Sequence, residues 1–179
     1  MPELVLPTVE LRESFLAAMT EFRAEGRGGR DDESMIGHEH QKYAATWETE
    51  AGFVSYVGVL LAEPLEDNPR PYGYVPQTTW WYADDTDYLG RISLRHRLTE
   101  HLTDVGGHIG YDVRPTARRR GYATTMLREV LPHAYDLGID EALVTCDADN
   151  IGSRKVIEAA SGVLEDKRNG KLRYWVPTR

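Results

Sequence analysis

The sequence predicts a mixed α/β fold: a mostly antiparallel sheet that carries one parallel strand pair and is flanked by helices. Three observations lead there. Residues 107–113 alternate, with Ile109, Tyr111 and Val113 on one face and His108, Gly110 and Asp112 on the other, which is the period of a strand. Pro115 stops that run, and Ala123, Met126, Leu127, Val130, Ala134 and Leu137 then recur at three-to-four spacing, so a helix begins near Gly121. It leads into an apolar strand at 142–146, and a strand reached through a helix lies parallel to the one before it. Turn residues at 84–87 and the Asn169-Gly170 pair mark hairpins, which are antiparallel.

The remaining elements follow in order. Residues 4–6 form a short apolar segment ended by Pro7, read as an edge strand. Thr8 caps a helix with the stripe Leu11, Phe15, Met19 and Phe22, and Glu10 and Glu13 favour its positive end. The glycine-rich stretch 26–32 ends that helix and reads as a mobile loop, with a lid over a substrate as the functional alternative. Residues 33–63 are mostly helical, with Tyr43, Trp47, Val54, Val57, Leu60 and Leu61 as apolar positions and Gly52 as the divider. Residues 53–57 also alternate, so a strand there is the competing reading. His38 and His40 share a face only at strand spacing and no carboxylates complete a metal set, so both read as surface residues. Pro64, Pro69, Pro71 and Pro76 mark a connecting loop, followed by strands at 78–82 and 88–94. Residues 95–102 carry charges toward the central strand. Pro132 should bend the helix after Gly121, and Gly138 ends it. Asn150 opens a helix containing Val156, Ile157 and Ala160, and 162–165 with 172–176 form the last hairpin.

Composition narrows the function. A chain of 179 residues, 41% hydrophobic and 28% charged, is expected to form one ordinary domain, 1–179. No apolar stretch reaches the length of a membrane span, and the start, Met1 to Leu4, lacks a basic region before an apolar core, so a cytoplasmic protein is expected. The single cysteine, Cys146, excludes an internal disulfide and reads as a small buried hydrophobe. A net charge of −8 opposes nucleic-acid binding, so the arginines at 118–120 are a local site and not part of a basic face.

Those arginines sit where a strand gives way to a helix. The first turn of a helix leaves backbone N–H groups without intrahelical partners and carries partial positive charge, so an anion is favoured there. Gly121 lets a phosphate approach the backbone closely. Neither a Walker-type loop nor a G-x-G-x-x-G run is present. The segment Arg118, Arg119, Arg120, Gly121, Tyr122, Ala123 resembles the Q/R-x-x-G-x-G/A signature of the GCN5-related N-acetyltransferase (GNAT) family. Asn150, Ile151, Gly152 and Ser153 are similar to that family's second motif.

The resemblance implies a GNAT-like sheet whose parallel strands splay around acetyl-CoA, used as a cosubstrate with no metal. It implies core motifs at 78–179 and a helical acceptor-side region at 8–63. It further implies that Tyr111, Asp112 and Val113 bond the pantetheine through the backbone. In the same way it places Arg118, Arg119, Arg120, Gly121, Tyr122, Ala123 and Thr124 around the pyrophosphate, with Asn150 and Ser153 contacting the cofactor. Asn150 can also simply cap its helix. The usual acid tyrosine is replaced, since Ile157 takes its place, and the usual glutamate base is missing near Gly107. His108, and then His96 with Glu100 nearby, are the candidate bases because a near-neutral pKa suits taking a proton from an amine. The expected activity is acetyl transfer to a primary amine, on a small molecule or a peptide, by direct attack. The alternative is a noncatalytic acyl-CoA-binding or sensing module. Oligomeric state is left open, a homodimer included.

Overall fold

The computed structural model describes residues 1–179. Seven strands form one sheet: β1 (Glu3–Val5), β2 (Gln77–Asp84), β3 (Asp87–Arg95), β4 (Ile109–Val113), β5 (Glu141–Asp147), β6 (Val163–Arg168) and β7 (Lys171–Pro177). Their spatial order is β1-β2-β3-β4-β5-β7-β6, and every neighbouring pair is antiparallel except β4 with β5. The six α-helices are α1 (Arg12–Ala24), α2 (Met35–Trp47), α3 (Glu50–Ala62), α4 (Glu100–Asp104), α5 (Tyr122–Asp136) and α6 (Ile151–Ala159). No helix is long and apolar enough to cross a membrane.

Strand alternation sends residues to two separate cores. Ile92, Leu94 and Ile109 pack with Met126, Leu127 and Val130 of α5 and Ile157 of α6. On the other face Trp81, Ala83 and Tyr88 pack under α1, α2 and α3. Phe15 is the hub of that second core, with ring centroids of Trp47, Phe53, Tyr56, Trp81 and Tyr88 all within 5.6 Å. Offset and edge-on aromatic contacts of this kind each add about 0.5–1.5 kcal/mol beyond burial. The α1 stripe Leu11, Phe15, Met19 and Phe22 is buried as expected, and Thr8 caps a single 3₁₀ turn, Val9–Leu11, that leads into it.

The helical reading of 33–63 holds at residues 53–57 over the competing strand, because the residues that bury are Phe53, Tyr56, Val57 and Leu60, at helical spacing. Three expectations are corrected. The break between α2 and α3 falls before Gly52, at Thr49, whose Oγ1 accepts the Gly52 N–H at 3.0 Å. Gly52 is needed all the same, since a Cβ there would lie 2.0 Å from the Thr46 carbonyl oxygen. His40 is not on the surface. It is 4% exposed, edge-on to Trp47 and roofed by Gly28, and burial holds its pKa below the ordinary value. The loop at 26–32 is pinned, because the Asp32 carboxylate accepts N–H groups from Gly28 (2.7 Å) and Ser34 (2.9 Å). Burial works against ionisation of Asp32, yet those two amides keep its pKa below the usual range. Two smaller departures are that Leu137 lies exposed past the buried stripe of α5, which continues through Pro132, and that residues 99–104 form the short α4 capped by Thr99.

Candidate active site

β4 and β5 meet at one end only. Their one register pair is Ile109 with Val144, and beside it His108 N–H donates to the Leu143 carbonyl at 2.7 Å while Leu143 N–H donates to His108 Nδ1 at 2.9 Å. Gly107, left-handed at φ 64°, closes this end, since a Cβ would stand 2.4 Å from Leu143 O. From Gly110 to Val113 the edge of β4 facing β5 has no strand partner, although its other edge stays paired to β3 as far as Val113 with Gly90. The parallel pair therefore forms a V, with its apex at His108 and its mouth five residues away, about 16 Å along the strand.

At the mouth, the turn Pro115–Ala117 redirects the chain, and Gly121 at φ 82° caps α5. None of the amides from Arg119 to Thr124 has a hydrogen-bond acceptor within the chain. The arginines, alike in the sequence, differ here. Arg118 forks onto Glu25 with two contacts of 2.7 Å, whereas Arg119 and Arg120 are exposed and have no carboxylate partner. The turn is braced from α1. Glu21 accepts from Arg114 Nε at 2.7 Å and from Thr116 N and Oγ1. Burial works against the Glu21 charge, but these donors hold its pKa below the ordinary carboxylate value.

Inside the V, Tyr111 Oη lies 2.6 Å from Ser153 Oγ and so links β4 to the first turn of α6. Burial pushes the Tyr111 phenol well up, so it keeps its proton. Asn150 Oδ1 accepts the Ser153 N–H at 3.0 Å, the capping role. Cys146 is buried on β5 and its thiol pKa is raised by that burial. The structure thus gathers Tyr111 with Ser153 and Asn150 on one wall, and residues 118–124 at the mouth.

The two histidines lie elsewhere. His108 is at the apex, with a pKa lowered by burial, and secondarily by Arg95, to about 4. Its Nδ1 lone pair receives the Leu143 N–H, so in the neutral ring the proton sits on Nε2 and no lone pair is left over. His96 follows the end of β3, with Nε2 2.8 Å from Thr78 Oγ1 and a pKa lowered by burial. The carboxylate that influences it is Glu66, not the expected Glu100.

Sequence reading missed the other wall. Arg27 Nη1 donates to Asp112 Oδ1 at 2.8 Å and its Nη2 donates to Ser34 Oγ, the N-cap of α2. Met35 lies against Gly110, and a Cβ on that glycine would stand 3.5 Å from the sulfur. Deeper, Arg91 meets Glu39 at 2.8 Å and Tyr56 donates its hydroxyl to the same carboxylate. Burial raises the pKa of Asp112, against the pull of Arg27. No sequence signal pairs these charges, because their partners are distant along the chain. A cavity of about 760 Å³, lined by Glu10, Glu13, Glu50, Asp87 and Arg114 among others, lies beside α1 and the start of α3.

Residues 30–161 match the sequence model of a family described as Acetyltransferase (GNAT) domain. The fold is similar to Mycobacterium smegmatis RimJ in complex with CoA-disulfide (TM-score 0.67, 16% identity, 98% of this chain and 81% of that one). It is similar to the microcin C7 self-immunity acetyltransferase MccE in complex with acetyl-CoA and AMP (0.65, 14%, 98% and 92%). The ribosomal-protein-S5-alanine acetyltransferase from Vibrio fischeri is a third such structure (0.66, 13%, 99% and 93%). No curated protein sequence matches the chain.

Proposed function

The chain belongs to the GNAT acetyltransferase family, and from that premise we propose that it transfers acetyl from acetyl-CoA to a primary amine by direct attack in a ternary complex. The observation that carries this reading is the row of unpartnered amides from Arg119 to Thr124, beside the unpaired Arg119 and Arg120, at the mouth of the β4–β5 cleft. Those groups suit a diphosphate. In this reading the free edge of β4 from Tyr111 to Val113 bonds the pantetheine, while Ser153 and Asn150 line the other side and the thioester lies toward the apex. Residues 1–179 then act as one acetyltransferase unit in the cytoplasm, with α2 and α3 on the acceptor side.

The amine nitrogen bonds to the thioester carbonyl carbon, and aligned backbone N–H groups on the free edge of β4 stabilise the oxyanion. The carbon–sulfur bond breaks, the ammonium proton leaves, and a proton reaches the thiolate. His96 is the better base of the two histidines. Thr78 Oγ1 can change from donor to acceptor when the ring is protonated, whereas protonating His108 sets an N–H against that of Leu143. His96 acts directly or through water. Neighbours named as ribosomal-protein acetyltransferases favour a peptide amine, and a small amine stays within the proposal.

Titration calorimetry with acetyl-CoA, followed by thiol-release assays over peptides and small amines, tests the proposal. Thiol release that depends on the acceptor is expected. Cofactor binding without any such release would replace the enzyme with a CoA-binding module, the reading that Ile157 in α6 favours. Absence of acetyl-CoA binding would overturn both.

A further inference from the structure

Arg95 ends β3 at the apex of the V, where its backbone N–H donates to the His108 carbonyl at 2.7 Å. Alternation along the strand puts its side chain on the side of the sheet that carries Ser93 and Arg91, the side where Glu39 of α2 meets Arg91. The side chain folds over the turn before β4. Nη1 donates to the carbonyls of Gly106 (3.3 Å) and Gly107 (3.0 Å), and a Cβ on Gly106 would stand 3.6 Å from that nitrogen and 3.4 Å from Leu102 of α4. One edge of the guanidinium is thereby fixed. The other edge, Nε with Nη2, bonds nothing in the chain and is not sealed from solvent.

No carboxylate of the chain answers this charge. Arg27, Arg91 and Arg173, on the same side of the sheet, each meet one within 2.8 Å. Around Arg95 the groups that act on the charge are Arg91, which repels it, and the Tyr74 phenol. Burial lowers its pKa, and Arg91 adds to that, yet a guanidinium keeps its proton. The apex thus holds a positioned, partly buried cation with a free two-donor edge.

The cofactor's diphosphate is not what this edge meets. Residues 118–124 stand at the mouth, about 16 Å away along β4, and the pantetheine that spans that length is uncharged. An anion at the apex therefore belongs to the other substrate. Nε and Nη2 present two parallel N–H groups, the geometry that a carboxylate accepts through both oxygens. Gly110, on the free stretch of β4, is a diagonal neighbour of Arg95, about 7–8 Å away between α-carbons, so amine and carboxylate need only a few bonds between them. We infer that Arg95 selects an acceptor carrying a carboxylate close to its reactive amine. The inference rests on the transferase reading above and names its substrate class. A free α-amino acid and a peptide with an acidic first residue share this chemistry.

Thiol release from acetyl-CoA, compared within two matched pairs of acceptors, tests it. One pair is glutamate and its diamide; the other is a peptide that begins with aspartate and one that begins with asparagine. In at least one pair kcat/KM should be about 10–100-fold higher for the carboxylate, and the pair that shows it identifies the source. Arg95→Gln should bring that ratio to about one, chiefly through KM, while acetyl-CoA binding by calorimetry stays as in the parent. A purely structural role would lower both members of a pair alike. Arg95→Lys keeps the charge without the fork and should retain only part of the ratio, so it decides the matter if the glutamine variant melts far below the parent. Equal rates within both pairs would overturn the inference, as would a preference undiminished in either variant. Absence of release with every amine would instead sink the transferase reading, and the inference with it.

Discussion

Arg27 donates to Asp112 across 2.8 Å, and so ties the loop after α1 to the strand that forms one wall of the cleft. The same guanidinium reaches Ser34, which caps α2, so one side chain sets the positions of three elements.

Asp112→Asn should therefore loosen that loop while leaving the sheet intact. The carboxylate is nearly buried and Arg27 about a quarter exposed, so the unpaired guanidinium can recover part of its hydration. The cost is expected to be about 1–3 kcal/mol, below that of breaking a fully buried pair. Tryptic cleavage after Arg27 or Arg30 should quicken by roughly tenfold, following local opening and not global unfolding. An unchanged cleavage rate would mean that the Asp32 bonds alone hold the loop.

At the mouth of the cleft the three arginines should separate in a binding assay. Arg119→Ala or Arg120→Ala should each weaken acetyl-CoA binding about tenfold, or some 1.4 kcal/mol. Arg118→Ala should cost less, because Glu25 already balances that charge. Gly121→Ala should lower stability by about 1 kcal/mol through its left-handed backbone, with no steric penalty, since nothing lies within 4 Å of the added carbon. Calorimetry and thermal melts give both numbers, and equal losses at all three arginines would contradict the division.

The buried pair of Glu39 and Arg91 gives a test of a different kind. Arg91 is 2% exposed, and Glu39 answers its charge while accepting the Tyr56 hydroxyl. Burial disfavours the Arg91 charge, but Glu39 outweighs it and raises the guanidinium pKa. Glu39→Gln leaves a buried cation unanswered and should cost about 3–5 kcal/mol in urea unfolding. Glu39→Leu combined with Arg91→Met should be markedly more stable than Glu39→Gln. If the double variant were the weaker of the two, the pair would be contributing more than the cost of its own burial.

Local regularities were legible in the chain, and distant partners were not. Period-two and period-3.6 patterns gave the strands and helices from residue 78 onward, and the chemistry of a strand-to-helix turn pointed to residues 118–124. Glycine is the conspicuous residue at the helix break, yet the group that marks it is the Thr49 hydroxyl three residues earlier, which caps α3. The spacing of His38 and His40 says nothing of burial, because on a helix His40 shares a face with Ile36, Tyr43 and Trp47. The loop at 26–32 has the composition of a mobile segment, and what fixes it is one aspartate inside it and another 85 positions from Arg27. Neither pairing leaves a periodic trace.

His108 supplies a pH test that separates holding the cleft shut from acting as a base. Its folded pKa of about 4 lies below the ordinary 6.5, through burial and then Arg95. Between those values the unfolded chain binds a proton that the folded chain does not, so the contribution is complete above pH 6.5 and is lost as pH falls toward 4. Its full size is at most about 3 kcal/mol. Glutamine at this position can still accept the Leu143 N–H through its amide oxygen but does not titrate. His108→Gln should thus melt near the parent temperature at pH 7.5 and lose less stability on acidification to pH 4.5. Parallel melting curves for the two proteins would remove His108 from the balance. In the transferase assay the same variant should keep its acid limb, because the proposed mechanism assigns that limb to His96. If His108→Gln abolishes the limb and His96→Gln leaves it, the base is the residue at the apex.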